Sequence, residues 1–147
     1  MASLGIDIGC ISLKAALVGD PDDRDLFSRL LTERPDLFQT SRDGLTLVDG
    51  RPLLVTRYRR IKGSPAEATK RLLEELHHVV PAEVLRGVRV TGSGARLIAE
   101  ALGAPFENEF KAIARGLSSL HPEAQTIFEM GGETSKFIRL DAYTPAP

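Results

Sequence analysis

Leu4–Lys14, LGIDIGCISLK, is the stretch on which the reading of this chain turns. An apolar run reaches Asp7, breaks at Gly9, and resumes past Ser12 with Lys14 inside it. Leu4–Ile8 and Leu13–Val18 read as two strands joined by a tight glycine-containing turn, so the chain is expected to open with a β-hairpin. A carboxylate, a glycine, a hydroxyl and an ammonium then gather at one hairpin tip. The far end of the chain repeats the arrangement. Glu129-Met130-Gly131-Gly132-Glu133-Thr134-Ser135-Lys136 follows Asp7-Ile8-Gly9-Cys10-Ile11-Ser12-Leu13-Lys14 in one order: acid, apolar, glycine, two variable residues, hydroxyl, one variable residue, lysine.

Phosphate and magnesium chemistry would use those residue types at that spacing. Glycine lets backbone N–H groups approach an anion, and successive N–H groups in a tight turn form an anion-binding nest. The hydroxyl and the lysine add donors and positive charge. A carboxylate at the strand end can hold hydrated magnesium, which takes one or two carboxylates and fills its shell with water and phosphate oxygens. A single glycine turn with polar residues suits any hairpin. The second copy, also ending an apolar strand, favours the phosphate reading, with the two tips expected to grip a polyphosphate between them.

Composition narrows the class. The 147 residues are 42% hydrophobic and 27% charged, with 19 Lys plus Arg against 20 Asp plus Glu. Such a chain fits one soluble domain, and its near-neutral balance leaves no electrostatic footprint for nucleic acid. One cysteine, Cys10, excludes an intrachain disulfide or an all-cysteine metal site. No apolar stretch reaches membrane-spanning length, and MASLGID lacks the features of a signal peptide, so a cytoplasmic protein with no membrane partner is expected.

Between the two loops, strands alternate with helices. Asp22–Glu33 carries Leu26, Phe27, Leu30 and Leu31 at helical spacing, and TLVDGRPLLVTRY places Asp-Gly between apolar runs as a hairpin signal. SPAEATKRLLEELHHVVP opens with Ser64 as N-cap, Pro65 at the first helical position and Glu67 completing a capping box, and Pro81 stops it. Its apolar face is Leu72, Leu73, Leu76 and Val80. GVRVTGSGARLIAEALG runs from a strand through a glycine turn into a helix. NEFKAIARGLSSLHP gives another, with Phe110, Ile113, Leu117 and Leu120 on one face. QTIFEMGG and SKFIRLD close the pattern as strands. The fold expected is α/β with a mixed sheet. RYRRIK, Arg57–Lys62, reads as a solvated edge strand in preference to an anion site, with Arg57, Arg59 and Ile61 on one face. The adjacent His77 and His78 suit a helix C-terminus rather than a shared metal.

With both loops and VTGSG in view, the chain resembles the ATPase family of 2-hydroxyacyl-CoA dehydratase activators and benzoyl-CoA reductase ATPase subunits, the BadF/BadG/BcrA/BcrD type. That family belongs to the actin, sugar kinase and heat-shock chaperone superfamily, with a ribonuclease H-like fold. The similarity runs from Leu4 to about Leu140, interrupted around Gly19–Leu53. The resemblance implies that Asp7, Gly9, Ser12 and Lys14, with Cys10 in the same turn, form a first phosphate loop. Gly92 and Gly94 match the glycine turn after the central strand, and Glu109 matches the acid of the helix-opening Asn-Glu pair. Glu129, Gly131, Gly132 and Lys136 match a second phosphate loop. Asp7, Glu129 and Glu109 would be the catalytic acids, with Asp7 and Glu129 holding magnesium through water.

The chain departs from the family in Glu129 for the usual Asp, Glu133-Thr134 for Gln-Asp, Cys10 for Ser or Thr, and Ala112 where activators carry a cluster-ligand cysteine. No iron–sulfur cluster is therefore expected here. The resemblance implies an N-terminal lobe over residues 1–135, with an insertion around 19–53, and the beginning of a second lobe over 136–147. The function it implies is binding of ATP or ADP with magnesium. Hydrolysis would be coupled to electron transfer in a partner such as a 2-hydroxyacyl-CoA dehydratase-like component, once the second lobe is present. Two other readings stay open: a non-hydrolytic nucleotide-binding or interaction module, and a fragment of a small-molecule kinase.

Overall fold

A computed structural model describes residues 1–132 and 134–140. Glu133, and the part of the expected second lobe beyond Leu140, lie outside the described residues. The elements follow the expected order: β1 (Ala2–Ile8), β2 (Ser12–Val18), α1 (Arg24–Glu33), β3 (Thr46–Val48), β4 (Arg51–Val55), β5 (Arg59–Arg60), α2 (Pro65–Val79), β6 (Leu85–Thr91), α3 (Arg96–Leu102), α4 (Glu109–Leu120), β7 (Thr126–Met130) and β8 (Ser135–Arg139).

The sheet is mixed. Its order is β3-β4-β2-β1-β6, with β5 also on β2. β1 pairs antiparallel with β2 and parallel with β6, so the first hairpin and the β6–α3 turn emerge at the same end. Alternation sorts the side chains: Leu4, Ile6, Ile8, Leu13, Ala15 and Leu17 are buried, while Gly5, Asp7, Ser12 and Lys14 lie on the other face. Leu72, Leu76 and Val80 of α2 and its exit join the main core. Ser64 caps α2 by accepting the Glu67 N–H at 3.4 Å. Asp-Gly makes the β3–β4 turn with positive φ at both residues, 52° and 75°. The segment around 19–53 thus contributes α1 and this hairpin, whose inner strand β4 extends the sheet from β2.

The second loop belongs to a separate two-stranded sheet, β7–β8. α4 packs on that hairpin through Ile113, Ala114 and Leu117 against Ile127, Ile138 and Leu140, a cluster distinct from the main core. The apolar stripe expected on α4 is covered only in its middle, for Phe110 and Leu120 remain 50% and 43% exposed at its ends. The expected division between residues 135 and 136 falls inside β8, where Lys136 pairs with Glu129. No helix of the described residues is long and apolar enough to cross a membrane.

Where β4 ends, Thr56 takes over the ladder. Its N–H donates to the Ala15 carbonyl at 2.8 Å, and its buried Oγ1 accepts the Ala15 N–H at 2.8 Å. A side-chain oxygen replaces a strand carbonyl here, between the stretches of β2 that pair with β4 and β5. Thr56→Val keeps the shape and removes the acceptor. It is expected to cost about 1–3 kcal/mol in chemical denaturation, the penalty of one buried unpaired donor.

Candidate functional site

The two matching octapeptides fold into matching hairpins. In the first, the Gly9 N–H donates to the Ser12 carbonyl at 2.9 Å, and Asp7 lies directly across from Lys14. In the second, the Gly131 N–H donates to the Thr134 carbonyl at 2.9 Å, and Glu129 lies directly across from Lys136. Equal sequence spacing thus becomes equal register: each tip closes on its glycine, and each acid faces its lysine across the strands.

The tips meet. A β-carbon on Gly132 would overlap the Ile11 side chain, so the second loop rests against the first. The β6–α3 turn closes a third side. Gly92 has φ of +107°, and a β-carbon there would overlap the Ile8 carbonyl and stand 2.7 Å from an Asp7 carboxylate oxygen. The Gly94 N–H donates to the same carbonyl at 2.9 Å. Cys10 Sγ lies 3.3 Å from Ser93 Oγ, a contact between first loop and turn that no sequence motif signals. Chain leading into α4 is held on the edge of β6, where Thr91 Oγ1 donates to the Glu107 carbonyl at 2.9 Å. Asn108 then caps α4 through the Phe110 N–H at 2.9 Å, and Glu109 opens the helix.

The charges divide unevenly. Lys136 Nζ bonds Glu129 at 2.8 Å and Glu109 at 3.1 Å, with its side chain only 9% exposed. The bond to Glu129, and after it the one to Glu109, holds the ammonium above its ordinary value against some loss of hydration. Lys14 reaches toward the Tyr58 ring, 5.8 Å from its centroid. Asp7 has no ion pair among the described residues. It is exposed to solvent, yet crowded by protein around it. Loss of hydration raises its pKa first, and the negative charges of Glu109 and Glu129 add to this, with Lys14 and Lys136 opposing.

All the expected site residues therefore collect at one end of the sheet. The oxygen donors Asp7, Glu109 and Glu129 suit magnesium rather than a soft metal. Among the described residues no three His, Cys, Asp or Glu groups are placed to enclose an ion. Sequence motifs gave no sign of Ser93 or of the Glu107 carbonyl.

No protein-family model matches the chain, and no curated protein matches it. Among solved structures it is similar to component A of the (R)-2-hydroxyglutaryl-CoA dehydratase of Acidaminococcus fermentans. They are 21% identical with a TM-score of 0.59, over 97% of this chain and 44% of that one. It is also similar to the activator of the 2-hydroxyisocaproyl-CoA dehydratase from Clostridium difficile, solved with bound ADPNP. There the identity is 22% and the TM-score 0.61, over 96% of this chain and 41% of that one. The likeness is one of fold, and the chain spans less than half the length of either protein.

Two substitutions at this site are expected to act in opposite directions on stability. Lys136→Met leaves Glu109 and Glu129 facing each other without their shared cation, a loss of about 1–3 kcal/mol in urea denaturation at neutral pH. Asp7→Asn is expected to raise the melting temperature. A raised carboxyl pKa means that the folded chain holds the proton more tightly than the unfolded one, so ionisation of Asp7 opposes folding. The penalty is complete once pH has risen through the raised value and vanishes below the ordinary value of 3.8. Melting curves of both chains from neutral pH down to about pH 4 should therefore converge.

Proposed function

We propose that this chain binds the polyphosphate of ATP or ADP, with magnesium, between its two hairpin tips. On this reading it is a ribonuclease H-like lobe of an actin-like ATPase related to the dehydratase activators, joined to the opening elements of a second lobe. The observation that carries the reading is the pair of equivalent hairpins, acid facing lysine in each, with Gly132 of one against Ile11 of the other. The fold shared with an activator solved with bound ADPNP supports it.

The roles follow from position. Loop amides beyond Gly9 and Gly131, whose own N–H groups close the tips, are offered to the anion; Ser12 and Lys14 add donors and Lys136 adds positive charge. Gly92 and Gly94 keep the third wall of the cleft at backbone thickness, so that Asp7 stays open to a ligand. Asp7 and Glu129 hold magnesium through water, and Glu109 orients water at the start of α4. Bound magnesium supplies neutralising charge on the phosphate oxygens and polarises the phosphoryl group. Asp7 is the acid best placed to receive that cation, because its own charge has no ion-pair partner among the described residues while those of Glu109 and Glu129 are met by Lys136. The second lobe opens beyond residue 135, within a strand of the hairpin that shares one apolar cluster with α4. In a protein carrying the rest of that lobe, hydrolysis would be coupled to lobe motion and to electron transfer in a dehydratase-like partner.

One observation favours a non-hydrolytic variant of the same site. The family's second-loop Asp is Glu129 here, and its carboxylate is tied to Lys136 at 2.8 Å. An acid held by its own strand neighbour is poorly placed to organise an attacking water.

Calorimetric titration of the chain with ADPNP, with and without magnesium, tests the assignment. Binding is expected to require magnesium and to weaken about tenfold or more in Asp7→Ala, the worth of one charged contact. Binding indifferent to both magnesium and Asp7 would discard it. Release of phosphate from ATP in an Asp7-dependent manner would set the hydrolytic form above the non-hydrolytic one.

A further inference from the structure

The basic run Arg57–Lys62 is expected from sequence to be a solvated edge, yet in the structure its residues divide by role. Arg59 lies across from Leu13, on the buried face of β2, and its guanidinium is bonded twice to Glu75 of α2 at 2.7 and 2.5 Å. Arg57 is turned to the chain after α1, donating to the Pro35 carbonyl at 2.6 Å. The Ile61 N–H donates to the Ile11 carbonyl at 2.9 Å, stitching this strand to the tip of the first loop. That leaves Arg60. It lies directly across from Ser12, on the sheet face where Lys14, Asp7 and Thr91 follow in register over β2, β1 and β6. It is exposed and has no ion pair among the described residues.

The charge balance of the cleft gives that position a purpose. Three carboxylates, Asp7, Glu109 and Glu129, face it, and Lys136 is already bonded to two of them. A polyphosphate entering here meets few uncommitted cations, with Lys14 drawn toward Tyr58. An arginine supplies what is missing: a planar fork of donors that matches phosphate oxygens in pairs. Because Arg60 stands on a strand braced by Arg59–Glu75 and by Ile61–Ile11, little order would have to be imposed on its backbone at binding.

We propose that Arg60 is a phosphate-binding residue of this site, contacting the polyphosphate from the β5 side of the first loop. The assignment rests on the nucleotide reading above and adds a specificity determinant to it: affinity is directed at the phosphates, not at the nucleoside. The test compares the parent chain, Arg60→Gln and Arg57→Gln by calorimetry. Each is titrated with ADPNP plus magnesium and, separately, with inorganic tripolyphosphate plus magnesium. Arg60→Gln is expected to weaken both ligands about tenfold or more with an unchanged melting temperature. Arg57→Gln, which removes the same charge from the other face, should bind as the parent does. Equal binding by Arg60→Gln and the parent would overturn the role of Arg60 while leaving the nucleotide reading in place. Equal losses in Arg57→Gln and Arg60→Gln would also overturn it, as an effect of net charge. Arg60-dependent binding of tripolyphosphate without any binding of ADPNP would uphold Arg60 and overturn the nucleotide reading. No binding of either ligand by the parent would overturn both.

Discussion

The site is built around one place where there is no room for a side chain. The β6–α3 turn lies so close to the end of β1 that a single carbon on Gly92 would overlap the Ile8 carbonyl. The Gly94 N–H bonds to that same carbonyl, so turn and strand end are fixed to each other through backbone alone. This contact is possible because β6 runs parallel to β1 and delivers its turn to the same end of the sheet. The antiparallel partner β2 delivers the first loop there as well. Ligand sites form beyond the carboxyl ends of parallel strands for this reason: chain leaves the sheet there, and backbone donors become available.

A second layer of organisation comes from strand register. The lysine stands seven positions after the acid in each loop, and a hairpin closed on its glycine puts those two residues face to face. The pairing is a property of backbone geometry before it is one of charge. The charges then use it differently. In the second hairpin the lysine is held between its cross-strand partner and the first residue of α4, so α4 and the loop are joined by one ammonium. Apolar packing of Ile113, Ala114 and Leu117 on the hairpin supports the same arrangement from the opposite side.

Much of this could be read from the sequence, and the reasons are local. The N-terminal hairpin, the Asp49–Gly50 turn, the Ser64 cap of α2 and the glycine turn after β6 each carry their signal within a few residues. The repeat of acid, glycine and lysine was legible because register turns spacing directly into position. What could not be read were choices made between distant segments. Helical periodicity marks a stripe on α4 but does not say that a hairpin near the far end of the chain covers it, nor that Phe110 and Leu120 stay outside. Alternation groups Arg57, Arg59 and Ile61 on one face of an extended segment, yet only the pairing with β2 and the position of Glu75 assign Arg59 to α2 and Arg60 to the loop face. Contacts through Ser93 and the Glu107 carbonyl have no motif, since one depends on a loop-to-turn approach and the other on a main-chain oxygen.

The likeness of the two hairpins conceals a polarity. Their backbones repeat, but one presents a carboxylate with no ion-pair partner among the described residues beside a lysine drawn to an aromatic ring, and the other presents an acid already matched by its base. Duplicated scaffolds of this kind are not interchangeable jaws. A linear anion lying between them would have its two ends in unlike surroundings, so on the nucleotide reading an unsymmetrical ligand seated backwards would meet the wrong electrostatics at both tips.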